Sequence, residues 1–120
     1  MGVDLSGKLQ VKPGMTLCVQ GAPRTFKWDG LTDRDPAKAD AVLVFVTKRS
    51  DLPQASGAVQ AARDDRLSWI AYPKAGQLGT DLNRDLLVAE LKPQGVQGVR
   101  MVSIDDTWSA MRFRPIQPAP

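Results

Sequence analysis

Seven consecutive residues, Ala41 to Thr47 (AVLVFVT), carry no charge and almost no polarity. In a strand, successive side chains point to opposite faces, so Val42, Val44 and Val46 share one face and Leu43 and Phe45 the other. Both faces are apolar, and both must be covered. A strand of that kind belongs inside a sheet with layers packed on each side. Lys48, Arg49 and Ser50 follow at once as a polar exit into a helix. The stretch therefore predicts an α/β fold with this strand at its centre.

The rest of the chain must supply that sheet and its cover. At 120 residues it is one domain, and about two-thirds of the unfolded surface is buried at this size. The expected domain spans residues 1–114. A tail of three prolines in six residues, 115–120, is expected to be disordered. No leading apolar run follows a basic start, so no signal peptide is expected. No stretch approaches the roughly 18 apolar residues of a membrane span. There is one cysteine, Cys18, and no histidine. That excludes an internal disulfide, and it removes the commonest metal ligand and the usual general base near neutral pH. Ser-His-Asp and Cys-His catalysis are closed to the chain on its own. Together these features point to a soluble cytoplasmic protein.

The net charge is +3 and the pI about 9.3. Bases and acids are interleaved, as in Asp33-Arg34-Asp35 and Arg63-Asp64-Asp65-Arg66. Nucleic-acid binders concentrate Lys and Arg on one face. Only Lys48-Arg49 and the pair Arg112 and Arg114 stand out here, so a solvated surface is expected and nucleic acid is not.

Apolar spacing and turn residues divide the remaining chain. Residues 2–10 read as a short amphipathic helical turn with Leu5 and Leu9 at helical spacing. Lys12-Pro13-Gly14 is a turn, and Met15 to Val19 a strand ending at Gln20-Gly21-Ala22-Pro23. Residues 24–39 are irregular, with Phe26 and Trp28 able to add a short strand or cap the sheet edge. Ser50 is the expected N-cap of a helix to about Ala62. Leu67 to Tyr72 is the third strand. Thr80 is the expected cap of a second helix, Asp81 to about Lys92, stopped by Pro93 and Gly95. Val96 to Ile104 and Trp108 to Arg114 are strands joined by a turn at Asp105-Asp106. Cys18 is read as an inert buried thiol and Trp69 as core. Trp108 and Phe113 are read as cover for the sheet, and the Asp pair as a turn, not a metal site.

VKPGMTLCVQGAP, AVLVFV with its helix, and DRLSWIAYPK resemble parts of a class I S-adenosylmethionine-dependent methyltransferase, a Rossmann-like fold. In that resemblance they match the first, fourth and fifth strands, and the segment from Thr80 matches the closing hairpin. The second and third strands are missing. A nearer resemblance covers almost the whole chain. The KPG turn, AP, VLVFV, AYPK, TDLNRD and DDTWSAMRFR are similar to a family of small bacterial proteins classed as a domain of unknown function. The resemblance implies about five strands in the order 1-2-3-5-4, the last antiparallel, with helices on both faces.

It does not bring the cofactor with it. The parent fold needs a glycine-rich turn after its first strand, an acid there, and a second acid on the missing second strand. Here the turn holds one glycine, no acid, and Pro23, which lacks an N–H. No cofactor, metal or catalytic residue is expected. The expected function is a non-catalytic methyltransferase-like domain that binds a protein partner or a second copy of itself. The alternative is a small anionic metabolite or nucleotide, bound, and even turned over, at the C-terminal ends of the parallel strands. Gln20, Gly21, Lys48, Arg49, Lys74, Thr80 and Asn83 arrive there, and three bases near a helix N-terminus suit an anion.

Overall fold

The computed structural model describes residues 5–116. Its core is one five-stranded mixed sheet of order β1-β2-β3-β5-β4. The strands are β1 (Leu17–Gln20), β2 (Ala41–Phe45), β3 (Leu67–Pro73), β4 (Val96–Ser103) and β5 (Trp108–Pro115). β1, β2 and β3 are parallel neighbours, while β5 runs antiparallel to both β3 and β4. Strand order and the reversed last strand agree with the sequence-based expectation. The apolar AVLVF strand is interior and buried at every position. The middle of the sheet, however, is β3, which is also buried throughout.

The two faces of β2 feed two separate cores. Val42, Val44 and Val46 pack with Ile70, Tyr72 and Phe113 beneath α2 (Ser56–Arg63) and α3 (Arg84–Leu91). Alanines at 55, 58, 61 and 62 let α2 lie close to the strands. Leu43 and Phe45 pack on the opposite face with Trp69, Ala71, Trp108 and Leu9. The Trp69 indole N–H donates to the Leu9 carbonyl at 2.8 Å, which satisfies its one polar atom inside that core. Both longer helices therefore cover a single face. Among the described residues, the other carries α1 (Leu5–Lys8) and irregular chain. The expected helices on both faces reduce, on this side, to one turn, because 20 residues between β1 and β2 adopt no helix of their own.

Boundaries moved where local signals competed. Asp51, not Ser50, caps the segment after β2: its carboxylate accepts from the Thr47 and Lys48 N–H groups, both at 3.1 Å. Pro53 lies within a 3₁₀ stretch, Arg49–Ala55, and the α-helix begins only at Ser56. At the outer edge of β1, Leu17 exchanges hydrogen bonds with Leu31 and Asp33. The short pairing expected of Phe26 or Trp28 is thus made around Thr32, and Phe26 instead packs edge-on against Phe45. The Pro-rich tail is tied down at its start. Pro115 is in β5, and the Ile116 N–H donates to the Gly95 carbonyl. Residues 1–4 and 117–120, parts of the expected lead-in and tail, lie outside the described residues. Among the described residues no helix is long and apolar enough to cross a membrane.

Candidate functional site

The strand ends bring the expected residues to one rim of the sheet, but most are already engaged. Gly21 has φ +70°, and a Cβ there would lie 2.8 Å from the Phe45 carbonyl oxygen. The turn after β1 needs glycine because it presses on the end of β2, not to admit a ligand. Gln20 leans over the start of α2, its Oε1 3.3 Å from where a Cβ at Gly57 would sit. No acid occupies residues 20–23. These residues do not fit the cradle an adenosyl cofactor requires.

At the end of β2, the Lys48 N–H is held by Asp51. Arg49 donates its backbone N–H to Asp81 Oδ1 at 2.7 Å, and its guanidinium pairs with Glu90 on α3. Thr80 is not a helix cap. Its hydroxyl accepts from the Leu82 N–H at 3.0 Å and donates to the Thr47 carbonyl, stitching the loop to the end of β2. Asn83 caps α3 instead, its Oδ1 accepting from the Leu86 N–H at 2.8 Å.

Lys74 turns the other way. Its backbone N–H donates to the Thr107 carbonyl and its amine to Ser103 Oγ, both at 2.7 Å, so it belongs to the β4–β5 hairpin. Lys74 and Asn83 line one open groove of about 460 Å³, with Tyr72, Arg84, Asp85 and Ser109. Lys48, Arg49 and Thr80 do not line it. Lys74 is held at the β4–β5 hairpin, while Lys48, Arg49 and Thr80 are held at the end of β2.

The nucleophile candidates are quiet. Cys18 is buried beneath the Arg34 carbonyl, 3.6 Å from its Sγ. Burial pushes its thiol up, and Asp33 and Asp35 push it further. Burial likewise raises Tyr72, opposed by Arg84 and reinforced by Asp85, and its hydroxyl points at Met101 Sδ, 3.0 Å away. Asp105 spends Oδ1 on the Thr107 and Trp108 N–H groups, both at 2.8 Å, closing the hairpin turn. Among the described residues no three His, Cys, Asp or Glu side chains gather as a metal would require.

What sequence reasoning missed lies on β4, an outer strand. Val99 is 46% exposed and Met101 47%. They flank a groove of about 530 Å³ between β4 and α3, floored by Val88, Ala89, Gly98 and Met111. The signal was present in VQGVRMVSI, whose apolar residues outnumber what an edge strand needs. Edge position itself is not written there. No protein-family model, curated protein or solved structure matches the chain.

Proposed function

We propose that this chain is a non-catalytic interaction module on a methyltransferase-like scaffold, working in the cytoplasm and docking a protein partner in the groove between α3 and β4. One observation carries this: an outer strand leaves Val99 and Met101 about half exposed beside an apolar groove. Exposed apolar side chains that cluster at a rim mark interaction surfaces, and methionine adapts its shape to what it meets. The strand order supports the scaffold part of the reading. The absence of histidine removes imidazole chemistry, and the raised Cys18 and Tyr72 favour their protonated forms, which supports a non-catalytic reading.

The groove also says what kind of partner suits it. A β-bulge between Gly98 and Arg100 and the charge of Arg100 both oppose strand-to-strand pairing along β4. The partner therefore inserts side chains into the groove and does not extend the sheet. The rim carries Arg84 and Lys92 against Asp85. A second copy would set bases against bases, whereas an apolar anchor flanked by acids complements the rim.

The test uses a fluorescent peptide with leucine and phenylalanine between aspartates and glutamates, followed by anisotropy. Wild-type chain is expected to bind it saturably, and Met101→Glu to weaken binding by tenfold or more, about 1.4 kcal/mol. Binding that Met101→Glu leaves unchanged, or no binding by the wild type, overturns the reading.

A further inference from the structure

The Arg112/Arg114 pair gains a third member only in the folded chain. The register of β4 against β5 sets Arg100 directly opposite Arg112. Both lie on the face turned away from α2 and α3, where Gln10 also sits. Arg114, two residues further along β5, shares that face. Like charges directly opposite one another disfavour a strand pair. One carboxylate answers the three: Asp65 accepts from Arg114 Nε and a terminal nitrogen, at 3.1 and 3.3 Å.

Among the described residues, Arg100 and Arg112 form no ion pair. Arg100 is exposed, and its guanidinium makes no hydrogen bond or ion pair among the described residues. Arg112 is partly buried. One terminal nitrogen donates to Gln10 Oε1 at 2.6 Å, while Nε is buried with no partner. Gln10 holds φ +62°, a left-handed conformation unusual for a residue with a side chain. Strain of this kind persists where the surroundings demand a particular placement. Burial lowers the Arg112 pKa first, and the neighbouring Arg114 and Arg100 lower it further against the pull of Asp65. An arginine does not shed its proton near neutral pH, so this repulsion stays in the fold as charge.

We propose that Arg100 and Arg112 bind the phosphoryl group of a small molecule, seated on the sheet face over the β4–β5 pair. The exposed Arg100 fork, with the remaining terminal nitrogen of the Arg112 guanidinium opposite it, offers planar charge-assisted donors that suit the oxygens of a phosphoryl group. A dianion cancels the two charges that the fold leaves unanswered. The aromatic side chains nearest on this face, Trp69 and Trp108, are buried. Neither ring offers an exposed base-stacking platform beside the arginines, which favours a small phosphorylated ligand over a nucleic-acid strand. Arg100 also reaches the lip of the groove between α3 and β4, whereas Arg112 does not line it.

Thermal unfolding of the full chain tests it, with inorganic phosphate or pyrophosphate set against sodium chloride of equal ionic strength. A ligand of the native state raises the melting temperature in a saturable way, and this is expected for both anions over the chloride control. Arg100→Gln is exposed and expected to fold. It should weaken the phosphate response about tenfold or more, because one charge-assisted fork is lost. Without phosphate it should melt no lower than wild type, since the opposed charge is gone. Arg112→Lys, which keeps charge but loses the fork, should weaken the response as well. Lys74→Ala and Met101→Glu should both leave it intact, which separates this site from the β3-end groove and from partner docking. An unchanged response in Arg100→Gln, or no wild-type response beyond chloride, overturns the assignment. So does a single-stranded oligonucleotide that binds through Arg100 while phosphate and pyrophosphate do nothing.

Discussion

Phe45 is clasped by two rings, Phe26 and Trp108, each with its centroid 5.0 Å away and nearly edge-on, at 63° and 80°. Such pairs add to what burial alone contributes. Phe45 is 3% exposed and sits on the face that lacks long helices. The ring contact with Phe26 adds to the hydrogen bonds of Leu17 with Leu31 and Asp33 that fasten the irregular segment to the sheet. Phe45→Ala is expected to cost about 3–5 kcal/mol, as large-to-small changes in a closed core do. Chemical denaturation followed by tryptophan fluorescence measures it. A loss below about 1 kcal/mol would place Phe45 outside the core. The residue was legible in the sequence, since its strand is apolar on both faces. Its partners were not, because Phe26 lies 19 positions away in a stretch with no periodicity.

The start of α3 shows where an element's boundary escapes local rules. Thr80 and Asn83 are both competent caps, and TDLN contains acceptable first-turn residues after either. The structure settles on Asn83, because Thr80 is drawn to the Thr47 carbonyl at the end of β2. The competing partner is 33 residues away, beyond any capping pattern. Asn83→Ala is expected to lower stability by about 1 kcal/mol, with a matching loss of helical circular dichroism on partial denaturation. A silent Asn83→Ala would return the cap to Thr80. At Ser50 the competition is local: Asp51 takes its place by reaching back three and four residues to the Lys48 and Thr47 N–H groups. Tertiary competition also explains Arg49, withdrawn from the strand-end rim by Glu90 and Asp81.

At the scale of the molecule, the sheet keeps its rim of strand ends but closes it. The turn after β1 rests on Phe45, the loop carrying Thr80 is laced to β2, and Lys74 is turned to the hairpin. Of the residues of the expected site, Lys74 and Asn83 line one open groove together. S-adenosylmethionine is accordingly expected to show no useful affinity. Titration calorimetry giving a micromolar dissociation constant, about −8 kcal/mol, would contradict this. The exposed features lie on β4 instead: Val99 and Met101 along its rim, and Arg100 facing Arg112.

The sequence by itself determined what depends on local pattern. Alternation and apolar runs placed all five strands, and Pro93 with Gly95, which takes φ +86°, marked the end of α3. Composition removed histidine chemistry outright. Only the tertiary structure decided what depends on register between distant segments. It put α2 and α3 on one face and gave Asp65 to Arg114. It also set Arg100 against Arg112, 12 positions apart, across a ladder shifted by a bulge. Periodicity reports which way a side chain points along its own strand. Which side chain stands opposite follows from pairing the strands in the alignment that best buries both cores. That alignment is a property of the whole fold, and a slip of one residue would turn every side chain to the other face.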